Sequence, residues 1–164
     1  MSIKNKIKAG IVGASGYTGG ELLRLLVNHE GVELVFAYST TNNGKLVSDV
    51  YTDLIGEINI EFTNTVKESD VIFLCQGHGK SYKFLLENSI VPKTKIIDLS
   101  QDFRLEKSIT IGKNTRNFTY GLPELQKKLI KSSKNIANPG CFATALYPFS
   151  KIVGKANILI MPGQ

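Results

Sequence analysis

Short apolar runs alternate with stretches of helical periodicity along most of the chain. Ile7–Val12 is apolar and reads as a strand, and a glycine-rich turn follows it. From about Tyr17 to Asn28 apolar positions recur at helical spacing. Leu22, Leu23, Leu25 and Leu26 are expected on the buried side, with Gly31 as the stop. Val32–Tyr38 is a second apolar strand. A polar loop from Ser39 to Lys45 follows and contains Asn42, Asn43 and Gly44. Further on, the pattern predicts a short strand over Ile58–Phe62, a parallel strand over Val71–Cys75, a helix over about Lys80–Asn88 and a strand over Lys95–Leu99. Residues 103–120 show no clear period and read as irregular. Pro123 opens a short helix to about Lys131. Asn135–Ala137 is a brief strand, a helix begins at Cys141, and Ile158–Met161 reads as one more strand. Strands alternating with helices mark βαβ units, so the expected class is α/β with a mainly parallel sheet.

Composition narrows the class. The 164 residues are 42% hydrophobic and 21% charged, ordinary values for a globular domain with its own core. No apolar run approaches the roughly 20 residues of a membrane helix. The opening MSIKNKIKAG lacks an apolar signal segment and a cleavage site, which predicts a cytoplasmic protein. The net charge is +6, with Lys4, Lys6 and Lys8 at the first strand and Lys127, Lys128, Lys131 and Lys134 near a helix end. These lysines are not interleaved with aromatic residues and match no nucleic-acid motif. They read as solvated faces, and the excess of positive charge suits an anionic cofactor and substrate. No metal-ligand set is read from the chain.

The turn after the first strand carries the clearest chemistry. It reads Gly10-Ile11-Val12-Gly13-Ala14-Ser15-Gly16-Tyr17-Thr18-Gly19, a GxxGxxG variant of the dinucleotide fingerprint. Gly13 permits the tight turn, Gly16 lets the backbone approach a pyrophosphate, and Gly19 allows close packing of helix on strand. The pyrophosphate would sit on the unpaired N–H groups and positive dipole end of the following helix. The fold expectation sharpens to a Rossmann-like, doubly wound sheet. Dinucleotide domains selective for NAD place an acid at the end of the second strand to bond the ribose 2′-hydroxyl. Here that strand runs into Ser39 and Thr40 with Lys45 nearby, a set that suits the 2′-phosphate of NADP.

The two cysteines differ in context, so a disulfide framework is not expected. Cys141 lies in Asn138-Pro139-Gly140-Cys141-Phe142-Ala143-Thr144, where Pro and Gly make a tight approach and the cysteine opens a helix. A helix N-terminus favours thiolate, the nucleophilic form of a thiol. Cys75 ends an apolar strand and reads as core or as lining of the cofactor pocket.

Four segments, in order, carry a resemblance: GIVGASGYTGGELLRLL at the start, IIDLSQDFRL at 96–105, YGLPEL at 120–125 and NPGCFAT at 138–144. Together they resemble the N-acetyl-γ-glutamyl-phosphate reductases of arginine biosynthesis, from the semialdehyde dehydrogenase superfamily. The related aspartate-semialdehyde dehydrogenases share the glycine loop and a cysteine, but YGLPEL and NPGC speak for the glutamyl enzymes. The resemblance implies that the Cys141 thiolate attacks an acyl phosphate and that NADPH reduces the resulting thioester to a semialdehyde. It implies that Gly13, Ala14, Ser15, Gly16, Tyr17 and Thr18 wrap the cofactor phosphates and that Ser39 and Thr40 approach the 2′-phosphate. Ser100, Arg104 and Asn138 then fall on the substrate side. His78 becomes a loop histidine near the cofactor and His29 a structural one.

Two local departures stand out. Ser39-Thr40 replaces a common Ser-Arg, and Gln76-Gly77-His78-Gly79 replaces Leu-Pro-His-Gly. The family also runs to roughly twice this length, with a second domain that supplies the acid–base residue and the interface of a homo-oligomer. The expectation is therefore an NADP-binding domain over residues 1–144, a short start of the second domain over 145–164, and a truncated chain of weak or no activity. The alternative reading is an NADP-binding module that does not turn over.

Overall fold

The structure, a computed structural model, describes residues 5–153 except 106. The elements in order are β1 (Ile7–Val12), α1 (Tyr17–Val27), β2 (Val32–Tyr38), α2 (Val47–Val50), a 3₁₀ turn (Thr52–Leu54), β3 (Phe62–Thr63) and β4 (Val71–Leu74). There follow α3 (Lys80–Glu87), β5 (Lys95–Asp98), β6 (Ser108–Ile111), β7 (Asn114–Tyr120), α4 (Pro123–Ser132), β8 (Asn135–Ala137) and α5 (Cys141–Val153). They form one sheet in the order β3-β2-β1-β4-β5-β8-β7-β6. Every pairing is parallel except the β6–β7 hairpin. The expected α/β, doubly wound, mainly parallel class is borne out.

Both faces of the central strands are covered, which is why they read as continuous apolar runs. Alternation sends neighbouring side chains to opposite faces. Val12, Phe36, Ile72 and Leu74 join one cluster with Phe84 and Leu85 of α3. Ile11 and Ala37 join the other with Leu23 of α1 and with Val47, Leu54 and Phe62. Gly10 leaves room for the Phe36 ring, because a Cβ there would lie 2.8 Å from Phe36 Cδ1 with other ring atoms closer still.

The strand order turns at β1: β2 and β3 extend to one side, β4 and β5 to the other. In open α/β sheets such a reversal opens a crevice at the carboxyl ends of the strands, where ligands bind.

Some expectations are corrected. Residues 103–120 are not irregular, since they hold the β6–β7 hairpin, turned at Gly112 with φ 58°. The hairpin is half exposed and polar, and a charged residue occupies an inward position. Arg116 is buried and donates to the carbonyl oxygens of Thr94 (3.0 Å), Ile90 (3.1 Å) and Val91 (2.8 Å) and to Asn135 Oδ1 (3.1 Å). Its charge hides the strand period. Leu25 is 69% exposed. It lies two residues, about 200°, from Leu23, so the buried stripe of Gly19, Gly20 and Leu23 excludes it. The strand expected over Ile58–Phe62 forms later, at Phe62–Thr63, with a bridge between Leu46 and Glu61 before it. The helix expected at Cys141 is present and continues past residue 144 to Val153. The strand expected at Ile158–Met161 lies outside the described residues. Among the described residues, no helix is long and apolar enough to cross a membrane.

Candidate functional site

The loop between β1 and α1 is folded tightly by its own backbone. Gly13 N and Ala14 N both donate to Tyr38 O at 3.0 Å, and Gly16 N donates to Gly13 O at 3.1 Å. Gly13 has φ 78°, and a Cβ there would lie 3.0 Å from the carbonyl of Cys75 and the nitrogen of Gln76. The loop is thus pressed against the end of β4, at the strand-order reversal. A Cβ on Gly19 would lie 2.7 Å from Ala14 Cα. Helix α1 begins after Gly16 with no side-chain cap. Its first N–H groups have no intrahelical partner and remain open to an anion. Tyr17 stands 87% exposed at this mouth.

Ser39 and Thr40 follow β2. Ser39 is buried, its Oγ 2.7 Å from Ser15 Oγ and accepting from Asn42 N at 3.2 Å. The hydroxyl therefore ties the glycine loop to the 39–45 loop. Thr40 is exposed. Lys45 is exposed too and donates from Nζ to Asn42 Oδ1 at 3.2 Å. The 39–45 loop carries this cation and no acid.

After β4 and β5, a buried network sets the loops. Asp98 has no exposed surface, and burial pushes its carboxyl above the ordinary range against the pull of its hydrogen bonds. It accepts from Ser100 N (3.2 Å) and Ser100 Oγ (2.8 Å). Ser100 Oγ in turn accepts from Asp102 N at 3.0 Å. Asp102 closes the start of α3, accepting from Gly79 N (2.7 Å) and Tyr82 N (3.0 Å). His78 Nδ1 accepts from Gln101 N at 3.1 Å, which joins the two loops. Burial, with the nearby Asp98 charge, pushes the Cys75 thiol up to about 12.

The loop after β8 presents Cys141. Asn138 N donates to Asp98 O at 2.8 Å, and Arg104 donates from Nε to Asn138 O (2.9 Å) and from Nη2 to Leu99 O (3.2 Å). A Cβ on Gly140 would lie 2.9 Å from Arg104 Nη1. The guanidinium therefore lies against the Pro139-Gly140 bend, and glycine makes the fit. Cys141 is exposed as the first residue of α5. The first turn of the helix is closed by Thr144, whose N and Oγ1 both donate to Gly140 O at 3.1 Å.

The description "Semialdehyde dehydrogenase, NAD binding domain" belongs to a family model that matches residues 8–133. The chain belongs to this semialdehyde dehydrogenase family. Curated relatives of the domain are named N-acetyl-gamma-glutamyl-phosphate reductase. One from Christiangramia forsetii is 52% identical over 141 residues, which is 85% of this chain and 42% of the relative. Another from Flavobacterium johnsoniae is 49% identical over 154 residues, 93% of this chain and 47% of the relative. The semialdehyde dehydrogenase domain described here thus spans less than half the length of these relatives. Among solved structures, aspartate semialdehyde dehydrogenase with NADP from Candida albicans superposes with TM-score 0.56 at 18% identity, over 90% of this chain and 48% of that one. Aspartate semialdehyde dehydrogenase II complexed with ASA from Vibrio cholerae gives 0.60 at 19%, over 90% and 47%. These likenesses show the shared fold. The resemblance read from the four motifs agrees with the relatives' names.

Within this semialdehyde dehydrogenase domain, the residues singled out in the sequence come to one edge. Gly13–Thr18 follow β1, Ser39 and Thr40 follow β2, Ser100 and Arg104 follow β5, and Asn138 and Cys141 follow β8. All four strands are parallel, so all these loops lie at the carboxyl edge. Three strand spacings separate β1 from β8, about 14 Å. Sequence reasoning missed Asp98, Asp102 and Tyr51. An acid inside the apolar strand Ile96-Ile97-Asp98 was a usable signal. Nothing local marks Tyr51, which reaches the glycine loop from 35 residues away.

Proposed function

We propose that this chain is the NADP-binding half of an N-acetyl-γ-glutamyl-phosphate reductase, with Cys141 as its nucleophile. The observation that carries the reading is the common carboxyl edge: an uncapped glycine-loop helix and an exposed helix-opening thiol, about three strands apart, in a chain 45–52% identical to reductases of that name. The glycine loop fits a dinucleotide because Gly13, Ala14, Ser15, Gly16, Tyr17 and Thr18 offer backbone rather than bulk at the reversal of strand order. Lys45 and Thr40 suit a 2′-phosphate, while Ser39 braces that loop from within. When bound, the reduced nicotinamide supplies the hydride.

The chain's own residues do the rest. Cys141 Sγ forms a bond to the acyl carbon, and the carbon–oxygen bond to phosphate breaks with phosphate leaving as the anion. Arg104 spends Nε and Nη2 on carbonyl groups and keeps Nη1 on the Gly140 side, where it favours an anionic substrate. Asn138 and Ser100 shape that wall. We place the cofactor domain at residues 1–144 and the start of the second domain at 145–164, with the acid–base residue in the second domain. The full-length form is read as a cytoplasmic homo-oligomer. The test is phosphate release from N-acetyl-γ-glutamyl phosphate together with a covalent adduct on the intact protein by mass spectrometry. The reading expects an adduct that is absent in Cys141→Ser. Phosphate release that is equal in Cys141→Ser contradicts it.

A further inference from the structure

Tyr51 joins the molecule between α2 and the 3₁₀ turn, far in sequence from the glycine loop. Its hydroxyl donates to Gly16 O at 2.9 Å and Ala14 O at 3.1 Å, one hydrogen shared between two carbonyls. The ring is fixed from several sides. Tyr51 N donates to Val47 O at 2.9 Å. The Phe62 ring centroid lies 6.5 Å away, and the Arg24 guanidinium carbon sits 5.2 Å from the Tyr51 ring centroid. Arg24 is itself forked onto Asp53, with Nε to Oδ2 at 2.6 Å and Nη2 to Oδ1 at 3.0 Å. Gly20 vacates the place the ring fills, since a Cβ there would lie 2.7 Å from the ring and its hydroxyl.

The direction of these hydrogen bonds has a consequence for the loop. The peptides are trans. In a planar trans peptide the carbonyl and the following N–H point opposite ways. The Ala14 and Gly16 carbonyls are turned toward Tyr51, and the Gly16 carbonyl also accepts the first helical bond from Gly20 N at 2.8 Å, so the Ser15 and Tyr17 N–H groups point away, out of the loop. Neither N–H has a protein acceptor among the described residues. Two outward donors, one on each side of Gly16 at an uncapped helix start, make a cradle for a diphosphate.

We infer that Tyr51 is the positioning residue of the dinucleotide-diphosphate cradle, holding the Ser15 and Tyr17 amides in place by gripping the carbonyls behind them. This rests on the dinucleotide reading given above. Tyr51 acts through the backbone and does not itself touch the ligand. The Gly19-Gly20 pair then has two separate roles. Gly19 lets the helix approach the strand, and Gly20 admits the tyrosine.

The experiment is a calorimetric titration of the whole chain with NADPH and, separately, with adenosine 2′-monophosphate, which lacks the diphosphate. It compares the unaltered protein, Tyr51→Phe, Gly20→Ala and the double variant. Tyr51→Phe keeps the packed ring and removes only the hydroxyl. The expected result is an NADPH Kd raised about tenfold in Tyr51→Phe, the weight of one positioned hydrogen bond, with adenosine 2′-monophosphate binding unchanged. Gly20→Ala, which displaces the ring but keeps the hydroxyl, should weaken NADPH similarly, and the double variant should be no worse than either single one. An NADPH Kd within twofold of the unaltered protein in both single variants overturns the inference. Equal losses for NADPH and adenosine 2′-monophosphate also overturn it, because they point to general loosening of the domain. An unaltered chain that binds neither ligand overturns the cofactor reading itself, and this inference with it.

Discussion

Arg104 donates through Nε to the carbonyl of Asn138 at 2.9 Å, so the loop after β5 holds the loop that delivers Cys141. The position of Cys141 is therefore set by a side chain 37 residues away rather than by its own turn alone. Arg104→Ala should remove two hydrogen bonds to carbonyls and leave Asn138 O and Leu99 O exposed to partial solvation. The expected cost is about 1–2 kcal/mol of stability, read by urea unfolding. Arg104→Lys cannot span both carbonyls with a single ammonium and should recover only part of it. Unaltered stability in Arg104→Ala would contradict this grip.

The two thiols should behave differently toward an alkylating reagent. Cys141 is exposed, whereas Cys75 is packed behind the glycine loop with its thiol pushed up to about 12. At pH 8 iodoacetamide should label one equivalent per chain. Mass spectrometry should find that label lost in Cys141→Ser and kept in Cys75→Ser.

Lys45 gives the 39–45 loop its positive charge. Lys45→Glu should raise the Kd for NADPH tenfold or more and leave NADH nearly unchanged, because only the former carries a 2′-phosphate. Parallel fluorescence titrations check this. Equal weakening of both cofactors would place Lys45 outside the selectivity site.

Acid should loosen the corner that holds Tyr51. The hydrogen bond from Arg24 holds the Asp53 carboxyl below the ordinary carboxylate range. A lowered carboxyl adds stability that is fully present above its ordinary range and is lost as pH falls through the lowered value. The melting temperature of the unaltered protein should therefore fall more steeply between pH 5 and pH 3 than that of Asp53→Asn. Both groups are exposed, so added salt should shrink the difference.

Much of this architecture was legible because burial on both faces leaves a simple mark. β1, β2, β4 and β5 are apolar runs between breakers, and the glycine loop has a spacing that few other structures require. Cys141 was legible from Pro139 and Gly140, which bend the chain just before a helix. What stayed hidden depends on contacts between distant segments. The β6–β7 hairpin puts Arg116 where an apolar residue would signal a strand, and its charge is compensated by carbonyl groups from the turn before β5. Four leucines crowd one helix, and Leu23 is buried with Leu22 and Leu26 packed beside it, yet Leu25 points away from that stripe. The partners of the Ser39 and Ser100 hydroxyls were hidden too, Ser15 and Asn42 for one, Asp98 and Asp102 for the other. Tyr51 left no local trace, because its hydroxyl meets two backbone carbonyls from a distant segment and its ring fills the space left by the missing side chain at Gly20.

On the proposed function, the glycine loop and Cys141 serve one site at the carboxyl edge while remaining separable. The most direct measurement is a calorimetric titration of the chain with NADPH and NADH, repeated on Gly19→Ala and Cys141→Ser. A Cβ at position 19 would press into Ala14 and push the helix from the strand. NADPH should bind more tightly than NADH, with binding lost in Gly19→Ala and retained in Cys141→Ser. Failure of the unaltered, folded chain to bind either cofactor would contradict a cofactor site at the glycine loop.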